Sequence, residues 1–171
     1  MPENNISIHL ATIDDLSSLE AIEKSAARKF QEYLNIKDTD TTVPPQILYQ
    51  AQNEKLLWVI TYKTDKIGFL CARLLDGQPH IEEFSIDFNY QGNGYGRIFL
   101  DFFTGWARKS GYKYISLTSD KIIPWNAPYY SRLGFQEINP DEIMPELSLT
   151  LAKDIEKSPK PENRIAMVLR L

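Results

Sequence analysis

The chain has 171 residues, of which 43% are hydrophobic and 25% charged, and this fits one globular domain with a sizeable core. Its formal net charge of −4 argues against nucleic acid as the main partner, because phosphate contacts need clustered lysine and arginine. The only cysteine, Cys71, excludes an internal disulfide and fits a reducing compartment. No apolar run approaches the roughly 20 residues of a membrane span, and the N-terminus lacks the pattern of a signal peptide. We therefore expect one domain over residues 1–171, in the cytoplasm and without a membrane partner.

The first half of the chain predicts a strand, two helices and an antiparallel meander. Thr12 and Asp15 resemble a capping box ahead of a helix whose apolar side chains recur at helical spacing. A polar, irregular stretch over 31–43 precedes two prolines, and proline is tolerated in the first turn of the next helix. The predicted elements are, in order, a strand at 6–11, helices at 16–30 and 45–52, and strands at 56–62, 67–74 and 80–87.

The second half predicts a strand–helix–strand unit followed by shorter elements. A helix between two strands implies a parallel strand pair with a right-handed connection. The predicted elements are a helix at 95–109, a strand at 113–119, a short helix at 126–133, a strand from 135, a helix at 142–157 broken near Pro145, and a strand at 164–171. A meander joined to a parallel pair is a mixed sheet, so the fold class is α+β.

Three alternating glycines lie between the third meander strand and the following helix, within the segment Gln91–Gly96. Glycine lets a backbone approach a phosphate closely, and the start of a helix offers free N–H groups and a positive dipole end. A dinucleotide fingerprint would need a third glycine where Arg97 stands, although Asp120 is suitably spaced for its acidic residue. The loop also lies in mid-chain, so a nucleotide-dependent oxidoreductase is the weaker alternative.

Two motifs of the chain resemble the GNAT superfamily of N-acetyltransferases. The pattern Gln91-x-x-Gly94-x-Gly96 matches its pyrophosphate-binding signature. The segment 125–135, Trp-Asn-Ala-Pro-Tyr-Tyr-Ser-Arg-Leu-Gly-Phe, looks like its helix with an aromatic–tyrosine pair before Gly-Phe, in a form typical of a small subgroup. The order of elements is similar over essentially the whole chain. The resemblance implies a GNAT fold with a central mixed sheet of about six to seven strands flanked by helices.

The resemblance also implies acetyl-CoA as the co-substrate and no metal ion. The pyrophosphate would be held by Gln91, Gly92, Asn93, Gly94, Tyr95 and Gly96. The pantetheine arm would pair with the strand edge formed by Phe84, Ser85 and Ile86, and Asn126 and Tyr130 would lie near the thiol. Because Asn126 is only four residues before Tyr130, the alternative is that it caps its helix and does not touch the cofactor.

Acetyl transfer to an amine needs a base that takes the proton of the ammonium and an acid for the leaving thiolate. Tyr130 is the candidate acid, because a tyrosine stays protonated at neutral pH. For the base, Glu82 is our first choice, followed by Glu83 and then His80. His80 and Glu82 share one face of their strand and Glu83 faces the other way, unless a bulge changes the alternation.

The predicted activity is direct transfer of acetyl from acetyl-CoA to a primary amine of a small molecule or peptide. The acceptor would bind between 30–43 and 135–146, where Glu32, Asp38 and Asp40 can attract a cation. An acyl-CoA-binding sensor without catalytic activity is the alternative from another functional class. The sequence does not identify the acceptor, and a homodimer is one open assembly state.

Overall fold

A mixed sheet is the central feature of the computed structural model, which describes residues 5–37 and 41–171. Across these described residues the sheet has seven strands, in the order β1-β2-β3-β4-β5-β7-β6. The strands are β1 (Ile6–Leu10), β2 (Leu57–Tyr62), β3 (Asp65–Leu75), β4 (Gln78–Ile86), β5 (Tyr114–Asp120), β6 (Gln136–Glu137) and β7 (Arg164–Arg170). The helices are α1 (Leu16–Leu34), α2 (Pro45–Asn53), α3 (Tyr95–Lys109), α4 (Ala127–Arg132) and α5 (Pro145–Lys157). The predicted α+β class with a mixed sheet is confirmed.

Strand pairing follows the predicted meander and parallel pair. β1 pairs with β2, and β2 with β3, in antiparallel orientation. β4 and β5 are parallel, with one register position in the described chain, at which His80 lies opposite Ser116. β5 then pairs with β7 in antiparallel orientation along its whole length, from Tyr114 to Asp120. The crossover through α3 therefore gives the parallel pair that the sequence predicted.

Two helix boundaries differ from the sequence prediction by three residues or more. α1 continues through Leu34, four residues beyond the predicted end, and stops where Asn35 adopts a left-handed conformation with φ of 51°. α5 begins at Pro145, so the proline starts the helix and does not break one that begins at 142. Proline fits this position because the first helical residue needs no N–H partner within the helix.

Contacts group the chain into two units, and the first includes the residues up to Ala72 together with Glu82–Phe103. One face of its sheet is covered by α1 and α2. On the other face, Trp58 packs edge-on against Phe103 of α3, with ring centroids 5.3 Å apart, and Phe84 packs against Phe99 at 5.7 Å. Buried residues on the first face include Leu19, Ile22, Leu48, Ala51, Leu57, Val59, Phe69 and Cys71. Since strand side chains alternate, Phe84 on the α3 face places its neighbours in β4 on the α1 face.

The second unit, Arg73–Ile81 with Thr104–Leu171, has its own small core. Leu147 of α5 is buried with Leu75, Ala166 and Val168. Asp76 caps α5, because its carboxylate accepts hydrogen bonds from the N–H groups of Glu146 and Leu147, both at 3.1 Å. These donors are free at a helix start, so a turn residue supplies the cap that the sequence of α5 lacks.

Asp15 stabilises the entry to α1. Its carboxylate accepts hydrogen bonds from the N–H group of Thr12 at 2.8 Å and from the Thr12 hydroxyl at 3.0 Å, and Lys66 Nζ lies 2.8 Å away. Burial alone would raise the pKa of Asp15, but the bonds from Lys66 and Thr12 outweigh it and lower that pKa to about 2. The predicted link between Thr12 and Asp15 is therefore present, with Lys66 as a further partner.

Replacing this carboxylate should weaken the fold in a pH-dependent way. Asp15→Asn is expected to lower the free energy of unfolding at pH 7 by about 1–2 kcal/mol. A carboxyl with a depressed folded pKa stabilises above its unfolded pKa, and this contribution is lost as the pH falls towards 2. Urea unfolding at pH 7 and pH 3 should therefore show a difference between variant and wild type that shrinks in acid. The exposed neighbour Asp14→Asn is the control, and an equal loss in both variants would contradict the role of Asp15.

Candidate active site

A pair of carboxyl groups lies on the α1 face of the first unit. Glu23 of α1 is only 9% exposed, and both of its carboxylate oxygens accept a hydrogen bond from the Val43 N–H group, at 3.1 and 3.0 Å. Glu83 of β4 is half-buried, and its Oε1 accepts a hydrogen bond from the Ser85 hydroxyl at 2.7 Å. That bond places Glu83 and Ser85 on the same face of β4, as the alternation of the strand requires.

Burial and a neighbouring acid raise the pKa of each carboxyl, with Glu83 acting on Glu23 and Glu82 acting on Glu83. Burial raises the pKa of Glu23 to about 7, and the charge of Glu83 adds to the rise. Burial likewise raises the pKa of Glu83, although hydrogen bonds from the Ser85 hydroxyl and the Phe84 N–H group oppose the effect. Two buried carboxylates close enough to interact do not both ionise freely. With its pKa raised to about 7, Glu23 can exchange a proton near neutral pH.

Glu82 and His80 lie in different surroundings. Glu82 is half-buried and shares its strand face with Phe84, the residue that packs on α3. His80 belongs to the second unit, is 2% exposed, and its Nδ1 lies 2.9 Å from the Ser116 hydroxyl. Burial and the charge of Arg73 lower the pKa of His80 to about 3. A group of such low basicity is poorly suited to remove a proton from an amine.

The glycine loop has the backbone geometry of an anion cradle. Gly92 and Gly94 have φ of 79° and 84°, a region that other residues adopt only with strain, and an added Cβ at either would meet no described atom within 4 Å. Gly96 lies in the first turn of α3, whose Ile98 N–H group bonds to the Gly94 carbonyl at 3.1 Å. The N–H groups before Ile98 have no carbonyl partner within the helix. The segment therefore fits a phosphate group.

Two side chains of the loop, Gln91 and Asn93, hold it in place through hydrogen bonds to backbone carbonyls. Gln91 Nε2 donates to the carbonyl of Ile86 at 2.8 Å and to that of Ala26 at 3.4 Å, so it ties the loop to the end of β4 and to α1. Asn93 Nδ2 donates to the carbonyls of Tyr90 and Gln91, both at 3.2 Å. The sequence counted Gln91 and Asn93 as part of the cradle. Their side-chain amides bond to backbone carbonyls in and around the loop and so stabilise its shape.

The other predicted cofactor residues of β4 and the loop are spread between buried and accessible positions. Ser85 and Ile86 are buried, Phe84 and Tyr95 are half-buried, and Asn93 is exposed. Of the acids predicted for the acceptor region, Glu32 is exposed on α1, whereas Asp38 and Asp40 lie outside the described residues.

Tyr130 and Asn126 belong to the second unit. Tyr130 is half-buried in α4, with its ring 5.7 Å from that of Phe135 and 5.6 Å from that of Tyr129. Its N–H group bonds to the Asn126 carbonyl at 3.0 Å. Asn126 occupies the N-cap position, but among the described residues its side chain makes no capping hydrogen bond. Asn126 therefore stands at the predicted N-cap position, although its side chain does not make the capping bond.

Glu23 is the residue that the sequence reasoning missed. It falls at helical spacing between Leu19 and Ala26, on the stripe of α1 that packs against the sheet. A carboxylate is rarely buried without a partner, so an acid within an apolar stripe is itself a signal. That signal was available in the sequence, but the partner on β4 was not.

Two further features of the described residues concern metals and membranes. In 5–37 and 41–171, no three His, Cys, Asp or Glu side chains are grouped to hold a metal ion. No helix in the same ranges has the length and apolarity to cross a membrane.

The fold and the loop are those expected of an acetyltransferase, and the family comparison supports the same class. The model described as the acetyltransferase (GNAT) family matches residues 19–135, which is more than half of the chain. The chain therefore belongs to the GNAT family of acetyltransferases. This confirms the resemblance and the enzyme class, an N-acyltransferase.

Solved structures with the same fold come from several acetyltransferases. The PaiA N-acetyltransferase of Thermoplasma acidophilum, in complex with coenzyme A, has a TM-score of 0.70 at 13% identity, over 97% of this chain and 99% of that one. The ribosomal-protein-S18-alanine N-acetyltransferase of Escherichia coli has 0.67 at 18%, over 96% and 93%.

A longer enzyme shares the fold over part of its length. N-acetylglutamate synthase of Neisseria gonorrhoeae, complexed with coenzyme A and N-acetyl-glutamate, has a TM-score of 0.70 at 18% identity over 97% of this chain. This chain spans only 35% of that protein. At such identities the similarity of all three structures shows the fold alone.

Proposed function

We propose that residues 1–171 act as a single domain that transfers acetyl from acetyl-CoA directly to a primary amine of a small molecule or peptide. One observation carries this proposal. The glycine loop is anchored through Gln91 to α1 and β4, the same two elements that bear the carboxyls Glu23 and Glu83. An anion cradle and a proton acceptor on shared elements are what acetyl transfer to an amine requires.

The chain would hold acetyl-CoA mainly through its backbone. The N–H groups from Gly92 to Gly96 bind the pyrophosphate, because the positive φ of Gly92 and Gly94 and the start of α3 direct donors at it. The edge of β4 at 84–86 pairs with the pantetheine arm. When bound, acetyl-CoA supplies the activated thioester whose acetyl group is transferred.

Glu83 is the proposed base. Neutralising a lysine-like ammonium at pH 7 costs on the order of 4–5 kcal/mol, so the proton needs an acceptor as the amine attacks. A carboxyl whose pKa is raised by burial holds a proton more strongly than an ordinary glutamate. We therefore rank Glu83 ahead of Glu82, which shares the face of Phe84, and ahead of His80, whose pKa is about 3.

Tyr130 is the proposed acid for the leaving thiolate. Removing its hydroxyl tests whether the protein is an enzyme or a sensor. Tyr130→Phe is expected to lower kcat by about 10²-fold with little change in the Kd of acetyl-CoA, because phenylalanine keeps the ring and removes only the proton donor. Steady-state kinetics and calorimetry measure the two effects, with Tyr129→Phe as the matched control. A wild type that binds acetyl-CoA but acetylates no amine would instead support the sensor.

The acceptor class is open, since the similar enzymes act on different amines. We propose a screen of polyamines, amino acids, aminoglycosides and peptide N-termini with acetyl-CoA, read out as free thiol. Turnover of one class identifies the acceptor. Calorimetric binding of NAD without binding of acetyl-CoA would overturn the proposal. We place the reaction in the cytoplasm, which the buried thiol of Cys71, the single cysteine of the sequence, fits.

A further inference from the structure

Asp120 is the last residue of β5, and its side chain holds the turn that leads into α4. The sequence places it at a suitable spacing for the acidic residue of a dinucleotide site. In the structure it is only 4% exposed, and its Oδ1 accepts hydrogen bonds from the N–H groups of Ile122 at 2.9 Å and Ile123 at 3.1 Å. An aspartate that bonds to the backbone a few residues further on closes a turn of its own chain. The carboxylate therefore shapes the turn at 121–126.

A series of backbone hydrogen bonds joins this turn to Tyr130. The Asn126 N–H group donates to the Ile123 carbonyl at 2.9 Å, and the Tyr130 N–H group donates to the Asn126 carbonyl at 3.0 Å. Ile123 is thus bonded on both sides, through its N–H group to Asp120 and through its carbonyl to Asn126. The backbone of Tyr130 therefore lies two hydrogen bonds from the residue that Asp120 fixes.

α4 is too short to set its own position. It has six residues, and an isolated helix of that length is not stable in water. Among the described residues, the Asn126 side chain makes no capping hydrogen bond at the start of the helix. Burial of Ile123 and Ala127, 1% and 4% exposed, attaches the segment to the core, but apolar contacts are not directional. The direction in which α4 leaves β5 therefore depends on the hydrogen bonds of the turn.

We propose that Asp120 is a positioning residue that acts through Tyr130: its carboxylate fixes the turn at 121–126 and so sets the place of the Tyr130 hydroxyl. The inference rests on the proposed function, in which that hydroxyl is the acid. In the step itself, the O–H bond of Tyr130 breaks and an S–H bond forms on the leaving thiolate, after which Tyr130 regains a proton from water. A reacting group misplaced by about 1 Å can cost about 10²-fold in rate.

The first test compares Asp120→Ala with Asp120→Asn. Alanine removes the acceptor of both turn bonds, so kcat should fall by about 10- to 100-fold. Asparagine should restore kcat to within about threefold of wild type, because its side-chain oxygen accepts the same two bonds. The Kd of acetyl-CoA should change little in either variant, because we assign the pyrophosphate to backbone groups at 92–96. Asp14→Ala, at an exposed position, is the control and should leave kcat unchanged.

The conservative variant decides whether the turn or the charge matters. Asp120→Asn keeps the hydrogen-bond acceptor and removes the negative charge. A loss of kcat in Asp120→Asn as large as in Asp120→Ala would show that the charge is what matters and would overturn the inference.

A double-mutant cycle separates positioning of Tyr130 from a general weakening of the fold. Once Tyr130→Phe has removed the proton donor, the position of that donor no longer affects the rate. In this background Asp120→Ala should therefore lower kcat by less than about twofold further. A purely structural role predicts the full loss in both backgrounds, and that result would overturn the inference. Steady-state kinetics at saturating acetyl-CoA and acceptor measure all four proteins.

Amide hydrogen exchange tests the turn without acetyl transfer. The N–H groups of Ile122 and Ile123 should exchange slowly in wild type and Asp120→Asn, and at least about tenfold faster in Asp120→Ala. Exchange of both groups in wild type at the rate of exposed amides would overturn the inference. If Asp120→Ala does not fold, Asp120→Ser takes its place in the cycle, because a serine hydroxyl forms the same kind of turn more weakly.

The outcomes separate the inference from the proposed function. An active enzyme whose kcat is unchanged in Asp120→Ala overturns the role of Asp120 and leaves the acetyltransferase proposal intact. A wild type that transfers acetyl to no acceptor overturns the proposed function and the catalytic part of the inference. In that case hydrogen exchange still reports whether Asp120 holds the turn.

Discussion

Glu83→Gln is expected to lower kcat by about 10²–10⁴-fold while the Kd of acetyl-CoA stays nearly unchanged, because general-base catalysis contributes factors of that size. Glutamine is close to isosteric with the neutral carboxylic acid and still accepts the Ser85 hydroxyl bond seen at 2.7 Å. The substitution therefore removes proton acceptance and little else. Steady-state kinetics with a turned-over amine, together with calorimetry of acetyl-CoA binding, measure both quantities.

The adjacent residue provides the matched control for this experiment. Glu82→Gln makes the same chemical change one position earlier, on the strand face that carries Phe84. We expect it to reduce kcat by less than tenfold. A larger loss in Glu82→Gln than in Glu83→Gln would reverse our ranking and restore the order that the sequence suggested. The lower kcat of Glu83→Gln should persist at a pH well above the range in which Glu23 and Glu83 ionise. Glutamine cannot be deprotonated, so a higher pH does not restore the base.

The choice between Glu82 and Glu83 shows where sequence reasoning ends. Alternation predicts that the two side chains face opposite ways on β4. Which face meets α1 is decided by packing between distant parts of the chain, here by Phe84 against Phe99 of α3. Nothing local to β4 encodes that contact, and Glu23, whose pKa the charge of Glu83 helps to raise, lies sixty positions upstream.

Local chemistry explains the parts that the sequence predicted well. The strand–loop–helix at Gln91–Gly96 could be recognised because its positive φ values require glycine. A glycine in the sequence marks such a position without information from the rest of the chain. The helix ends were less visible. α1 extends to Leu34 because Asn35 accepts a left-handed conformation, and the start of α5 is capped by Asp76, a residue some seventy positions away. The start of α5 depends on this distant residue, so it cannot be predicted from the sequence of the helix alone.

The contacts of a loop side chain with distant elements also could not be predicted from the motif. Gln91 belongs to the recognised motif, and its side chain bonds to the carbonyls of Ile86 and Ala26. A residue of the motif therefore contributes to the shape of the loop. By fixing the loop to α1 and β4, Gln91 also links the geometry of the cradle to the elements that carry Glu23 and Glu83.

Gly94→Ala is expected to weaken acetyl-CoA binding by about 10–100-fold, the cost of losing one hydrogen bond to a charged phosphate. The added Cβ would enter space that no described atom fills within 4 Å, where we place the pyrophosphate. The φ of 84° also strains alanine, which should lower the stability of the free protein by about 1–2 kcal/mol. Calorimetry with acetyl-CoA and urea unfolding measure the two effects separately.

Gly111→Ala isolates the contribution of the cradle from that of backbone strain. Gly111 follows the C-terminal end of α3 as Gly94 precedes its start, its φ is 81°, and an added Cβ there would likewise meet no described atom within 4 Å. Both variants should therefore lose similar stability, since both place alanine in the left-handed region. Only Gly94→Ala should lose affinity for acetyl-CoA, because the free N–H groups lie at the start of the helix and not at its end. Equal affinities in the two variants would show that the phosphate is not held by this loop.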